Sequence, residues 1–267
     1  MATARHCGEE AVTTYFSVTN VTKRFGGLVA LDDCSFDIEP LRTSCVVGPN
    51  GAGKTSIFNV ITGFIRPDTG SVTFKGEDIT QASRHHRVDR GIARTFQNLQ
   101  LFEELTALEN VMVCLKDESA NDPLTAIFRP FHTNAVLRRK TAEAATLLEQ
   151  VGLGHKLNAA ASSLSYGQKK LLCIARVLAT GAELVLLDEP TSGLAAGALD
   201  AMVELIHKLK AQNRTLLVVE HNTQIVQRIA DEVLFFHRGH LMARGTPAEI
   251  VANEELGRIY FGKGASR

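Results

Sequence analysis

The sequence predicts an α/β fold, a parallel-sheet core with an α-helical subdomain inserted into it. Three observations carry that prediction. The segments "ELVLLDEP" (183–190) and "TLLVVEH" (215–221) are nearly continuous apolar runs, as strands covered on both faces must be. Helical patterns flank them: "KKLLCIARVLAT" (169–180) and "ALDAMVELIHKLKAQ" (198–212) place apolar residues at three- and four-residue intervals. From about Leu105 to Leu157, finally, the helical pattern continues without a convincing strand.

Taken in chain order, "TYFSVTNV", "SCVVG" and "SVTFKG" read as strands, and "KTSIFNVITGF" reads as a helix that follows the second of them across a glycine-rich turn. The mid-chain helical stretch is broken by the loop-like "KDESANDPLTAIFRPFHTN" (116–134). Near the end, "VLFFHRGHLMARG" predicts two strands around an Arg-Gly turn. A helix start follows, with Thr246 as N-cap, Pro247 in the first helical position and Glu249 closing a capping box. The expected division is a core over 11–96 and again over 164–245, an inserted helical subdomain over 97–163, and a C-terminal helix and tail over 246–267.

Composition narrows the function. Lys plus Arg equals Asp plus Glu at 29 each, which argues against a general nucleic-acid binder, because binding a phosphate backbone needs surplus positive charge. The basic run "SRHHRVDRGIAR" (83–94) reads as a solvated helix-and-turn surface or as a local basic patch. Five scattered cysteines without a CxxC pair form neither a disulfide framework nor a zinc site, and read as buried thiols in a reducing compartment. No apolar run approaches the ~18 residues of a membrane span, and the N-terminus lacks the apolar core of a secretion signal. A cytoplasmic protein is expected, with any membrane association made through a partner.

The chemistry is concentrated in three places. Gly48-Pro49-Asn50-Gly51-Ala52-Gly53-Lys54-Thr55 fits G-x-x-x-x-G-K-[ST] completely and sits between a predicted strand and a predicted helix. Its glycines let successive backbone N–H groups close around phosphates, Lys54 can reach the β- and γ-phosphates, and the Thr55 hydroxyl can ligate Mg²⁺. At the end of "LVLLDEP", Asp188 closes a buried strand, where an ionised carboxylate needs a compensating cation or hydrogen bonds. It can hold Mg²⁺ through the ion's water shell, and Glu189 can polarise an attacking water. Third, "LSYGQKK" (164–170) opens an amphipathic helix; its Ser165 and Gly167 form either an anion site or an ordinary N-cap.

The order "GPNGAGKT", "RTFQN", "LSYGQ", "LVLLDEP", "VVEH" resembles an ATP-binding-cassette (ABC) ATPase along almost the whole chain. The resemblance implies a P-loop NTPase core of the ABC type that binds ATP and Mg²⁺ and hydrolyses the nucleotide. It makes the first and fourth strings the Walker motifs, with Ser56 continuing the phosphate-binding set. It makes Gln97 the Q-loop residue, at Mg²⁺ or the attacking water, and His221 the switch histidine that orients that water. It further implies a head-to-tail dimer of cassettes, homo- or heteromeric, in which Ser165, Tyr166, Gly167 and Gln168 face the partner's nucleotide. Phe25 matches the aromatic that stacks on adenine, although a Phe beside a strand is also a common core residue.

Finer details are similar to the ATPase of branched-chain or hydrophobic amino acid importers: "RFGGLVAL", "RTFQNLQLFEELTALEN", "LSYGQ" in place of "LSGGQ", "GTPAEI", "IYFG" and a longer mid-chain loop. That likeness implies permease subunits as partners, indirectly a periplasmic or extracellular solute-binding protein, and a peripheral location on the cytoplasmic membrane face. Rival readings are a cassette for urea or short amides, an exporter of lipid-linked material, a soluble ABC ATPase, and a non-hydrolysing regulatory cassette. The soluble ATPase is disfavoured by the single cassette and the absence of basic surplus, the regulatory cassette by the intact Glu189. One departure stands out: after "DEPTSGL" the family usually has Asp or Asn, and here the residue is Ala195. An exposed apolar stretch of Leu99, Leu101 and Phe102 after Gln97 is expected to receive a permease helix, unless Leu101 and Phe102 pack inside the subdomain.

Overall fold

The computed structural model describes residues 14–116, 129–253 and 255–256. Strands β1 (Phe16–Phe25), β2 (Leu28–Ile38), β4 (Thr69–Phe74) and β5 (Glu77–Asp78) form an antiparallel sheet in the order β2-β1-β4-β5. The other sheet runs β10-β9-β3-β8-β7-β6, from β3 (Thr43–Val47), β6 (Ile92–Arg94), β7 (Leu184–Asp188), β8 (Thr215–Val219), β9 (Glu232–His237) and β10 (His240–Gly245). Its strands are parallel except for β10, which pairs antiparallel with β9.

The apolar runs follow from this layering. In β3, β7 and β8 every residue is buried. Alternate residues go to two different cores: Val46, Leu184, Leu186 and Leu217 pack with the antiparallel sheet and helix α1 (Lys54–Ile61), whereas Val47, Val185, Leu187 and Val218 pack with the helices of the opposite face. A strand buried on both sides cannot alternate polar with apolar. The second face is covered by α3 (Ala107–Met112), α4 (Arg129–Gln150), α5 (Tyr166–Ala179), α6 (Ala196–Ala211) and α7 (Thr223–Ile229). Among the described residues no helix is long and apolar enough to cross a membrane.

Several sequence expectations change here. Strand β2, the longest, has no clear apolar pattern because acidic residues interrupt it, yet Cys34, Phe36 and Ile38 alternate toward the core. The short β6 is likewise not among the predicted strands, and α4 starts at Arg129, inside the stretch expected to be loop; residues 117–128 of that stretch lie outside the described set. The basic run 83–94 is not simply a solvated surface. In α2 (Arg84–Asp89), Arg87 is fully buried, and its guanidinium donates to the carbonyls of Val60, Ile61, Thr80 and Ala82, capping the end of α1. The thiols of Cys34 and Cys45 are buried, while Cys114 and Cys173 are only partly covered; Cys7 lies outside the described residues. The helix start at Thr246 forms as read, with its capping box intact and Pro247 opening α8 (Pro247–Ala252).

Candidate nucleotide and hydrolysis site

Buried β3 runs into the glycine loop, and two of its glycines are required by space. At Gly48 (φ +150°) a Cβ would stand 2.1 Å from the Phe236 carbonyl oxygen, and at Gly53 (φ +102°) 2.6 Å from that of Ala30. Gly51 (φ +79°) instead has nothing within 4 Å of such a Cβ, so the loop bows into open space there. Lys54, buried at the start of α1, folds its ammonium back to donate to the Gly48 and Pro49 carbonyls at 2.7 and 2.9 Å. Burial lowers its pKa, with Glu189 and Asp188 pulling the other way. No acidic side chain occupies the first turn of α1, leaving its positive end for an anion. The shape and charge of this loop fit the phosphates of a nucleotide.

Asp188 ends β7 almost fully buried, and burial pushes its carboxyl pKa up while the Arg94 charge opposes that shift. Arg94, at the end of β6, places Nη2 3.2 Å from Asp188 Oδ2, with both side chains 7% exposed. Its Nη1 donates to Asn59 Oδ1 at 2.6 Å, and the guanidinium carbon lies 5.4 and 4.5 Å from the ring centres of Phe64 and Phe96. The expected donors for a metal, Thr55, Gln97 and Asp188, offer a hydroxyl, an amide and a carboxylate. Such an all-oxygen set fits a hard divalent cation such as Mg²⁺.

Glu189 takes the left-handed backbone region at φ +48°, which costs a non-glycine residue about 1–2 kcal/mol. Its N–H still continues the sheet, donating to Val219 at 3.0 Å. Two expected partners meet its carboxylate: Gln97 Nε2 donates to Oε2 at 3.1 Å, and His221 Nε2 is hydrogen-bonded to Oε1. These three residues follow the ends of β6, β7 and β8. Parallel neighbours share their carboxyl-end edge, so the loops leaving them converge where ligands bind in such sheets. A carboxylate held between an imidazole and an amide can orient and polarise one water.

The remaining expected residues lie apart from that cluster. Ser165 is the N-cap of α5 and forms a reciprocal capping box with Gln168, which realises the N-cap reading of this motif. Tyr166 is 48% exposed, with its ring against Gly193. Among the described residues no hydrogen bond joins Ser165, Tyr166, Gly167 or Gln168 to the glycine loop. Phe25 ends β1 with 47% of its surface exposed and belongs to neither core. Ala195 is the N-cap of α6 and makes no side-chain cap bond.

The apolar stretch after Gln97 does not form as expected. Leu99 lines a small cavity beside Asp188 and Lys170, Leu101 packs against the helical core, and only Phe102 stands out, 52% exposed beneath Arg176. The apolar side chains are drawn inward because the segment crosses the junction of sheet and helices.

Three side chains at the site were not singled out from sequence: Arg94, Lys170 and Glu220. Lys170 donates to the Glu189 and Pro190 carbonyls at 2.7 and 3.2 Å. Glu220 is 3% exposed and accepts from the Thr191 N–H and hydroxyl at 3.0 and 2.7 Å. A signal existed for Lys170, which shares the buried helical stripe of Ile174 and Val177. Arg94 opens the "RTFQN" string, but nothing local shows that it pairs with Asp188.

The family model described as ABC transporter matches residues 31–192. Over 92% of its length the chain is 36% identical to the high-affinity branched-chain amino acid transport ATP-binding protein BraF of Pseudomonas aeruginosa, 97% of which it covers. A nucleotide-free ATP-binding cassette from an ABC transporter superposes with a TM-score of 0.81 at 31% identity, covering 94% of this chain and all of that one. The ADP conformation of an ABC-transporter cassette gives 0.79 at 30% identity, covering 94% and 99%.

Proposed function

The chain belongs to the ABC transporter family and hydrolyses ATP, and we propose that it drives uptake of branched-chain or other hydrophobic amino acids. The observation that carries the catalytic reading is the meeting of Gln97 and His221 on the Glu189 carboxylate, at the same sheet edge as a loop shaped for phosphates. The 36% identity to BraF over nearly all of both chains supports the solute.

In this reading Phe25 stacks on the adenine, and Gly48 to Ser56 bind the phosphates, with the Lys54 ammonium turning from its two carbonyl partners to the β- and γ-oxygens. Thr55, Gln97 and Asp188 hold Mg²⁺, which when bound neutralises charge building on the phosphate oxygens. Glu189 takes the proton of the attacking water while His221 and Gln97 fix the water's position. Ser165 to Gln168 close on the nucleotide of a second cassette. The division into 11–96, 97–163, 164–245 and 246–267 is the corresponding proposal for the domains. A peripheral place on the cytoplasmic membrane face follows from docking on permease subunits. A cleft of about 410 Å³, lined by Phe64, Phe96 and Val177 together with Arg84 and Arg176, suits a short permease helix with acidic residues.

Glu189→Gln is expected to bind ATP normally and to hydrolyse it about 10²–10⁴-fold more slowly. Steady-state ATPase near wild type in that variant would refute the catalytic assignment. For the solute, cells lacking the chain are expected to lose high-affinity uptake of radiolabelled leucine, isoleucine and valine. Unchanged uptake would refute it.

A further inference from the structure

Glu189 carries an unfavourable backbone conformation and needs something to hold it. Its N–H is fixed by Val219, and its carbonyl receives the Lys170 ammonium at 2.7 Å, which also reaches the Pro190 carbonyl at 3.2 Å. Lys170 is 7% exposed, so this cation has been taken out of water to bind two main-chain oxygens. Burial disfavours its charge while Glu220, Glu189 and Asp188 favour it, and the Tyr166 ring centre lies 5.3 Å from its Nζ. The same Tyr166 ring packs on Gly193 in the loop that follows Glu189. One turn of α5 therefore touches the left-handed residue itself and the loop that follows it.

We propose that Lys170 is a positioning residue for hydrolysis, clamping the Glu189–Pro190 backbone so that the Glu189 carboxylate stays between His221 and Gln97. The proposal rests on Glu189 acting as the base. Its consequence, resting also on the proposed closure of Ser165 to Gln168 on a second cassette's nucleotide, is regulatory: displacement at Tyr166 reaches this chain's own base without a hydrogen-bonding side chain at position 195.

Lys170→Met keeps the alkyl stem and loses the donors. In the full chain it is expected to lower kcat roughly 10- to 100-fold, the scale of a misplaced catalytic group, with KM for ATP within about twofold of wild type. Lys170→Arg restores most of kcat. In single-turnover hydrolysis Glu189→Gln and the double variant Glu189→Gln/Lys170→Met run at the same rate, because the lysine acts only through the glutamate. Losses that multiply in the double variant, or a raised KM with kcat unchanged, overturn the proposal. Lys170→Gln carries the same comparison where the methionine variant does not fold. Wild-type rates in Glu189→Gln alone would instead strike the assignment of the base, and this proposal with it.

Discussion

Replacing Arg94 with methionine removes the fixed compensation for a carboxylate in the floor of the site. Arg94 and Asp188 are each 7% exposed and 3.2 Å apart, so solvent screening gives little relief to the partner left behind. Breaking a buried pair from one side costs about 3–5 kcal/mol, because an uncompensated charge remains. Methionine fills part of the space between Phe64 and Phe96 but forfeits the guanidinium contacts to both rings. At about 2–4 °C per kcal/mol for a chain of this size, the melting temperature is expected to fall by about 10 °C. The assay is thermal and urea unfolding of wild type, Arg94→Met, Asp188→Asn and the double variant, without nucleotide. The double-mutant cycle should return a coupling of about 2 kcal/mol or more. Mg·ATP should recover part of the loss in Arg94→Met, since a bound cation then compensates Asp188. A melting temperature within about 2 °C of wild type, or a coupling near zero, would refute the reasoning.

For Phe25, half exposed and outside both cores, Phe25→Ala should raise the KM for ATP while leaving the melting temperature nearly unchanged, stacking being worth about 1–3 kcal/mol; a sharp drop in melting temperature with unchanged KM argues for packing. Ala195→Asp supplies the missing cap of α6 beside its positive end and should stabilise the chain by about 1 kcal/mol in urea unfolding; no gain would mean that the helix end is already satisfied. Burial pushes the Asp231 carboxyl up, but the Lys210 ammonium and the Thr43 N–H outweigh it, so its folded pKa lies below the ordinary 3.8. The stability it contributes is therefore present above about pH 3.8 and lost as pH falls through the folded value, and Asp231→Asn should flatten this acid limb in pH-dependent melts. Phe102→Asp should leave folding and basal ATPase intact and weaken assembly with permease subunits in co-purification; normal assembly would take this ring out of the docking surface.

The glycine loop, Asp188 and Glu189, and the Thr246 cap were legible in the sequence because each depends on a few consecutive residues. A phosphate loop needs glycine where Phe236 and Ala30 crowd the backbone, and that requirement shows as G-x-x-x-x-G-K-T whatever the rest of the chain does. The both-faces burial of β7 and β8 likewise shows as unbroken apolar runs. Gln97 and His221 could be named from resemblance, but no local window shows that they meet on Glu189. That meeting depends on the order β6-β7-β8, which sets residues 92 and 32 positions away against one carboxylate. The role of Arg94 is hidden for the same reason: it stands in the "RTFQN" string, but its partner is 94 positions distant. Lys170 and the inward turn of Leu101 were decided by α5 packing beside the sheet edge. A charged or apolar side chain finds its partner only after the layers close, and burial then makes that partner obligatory.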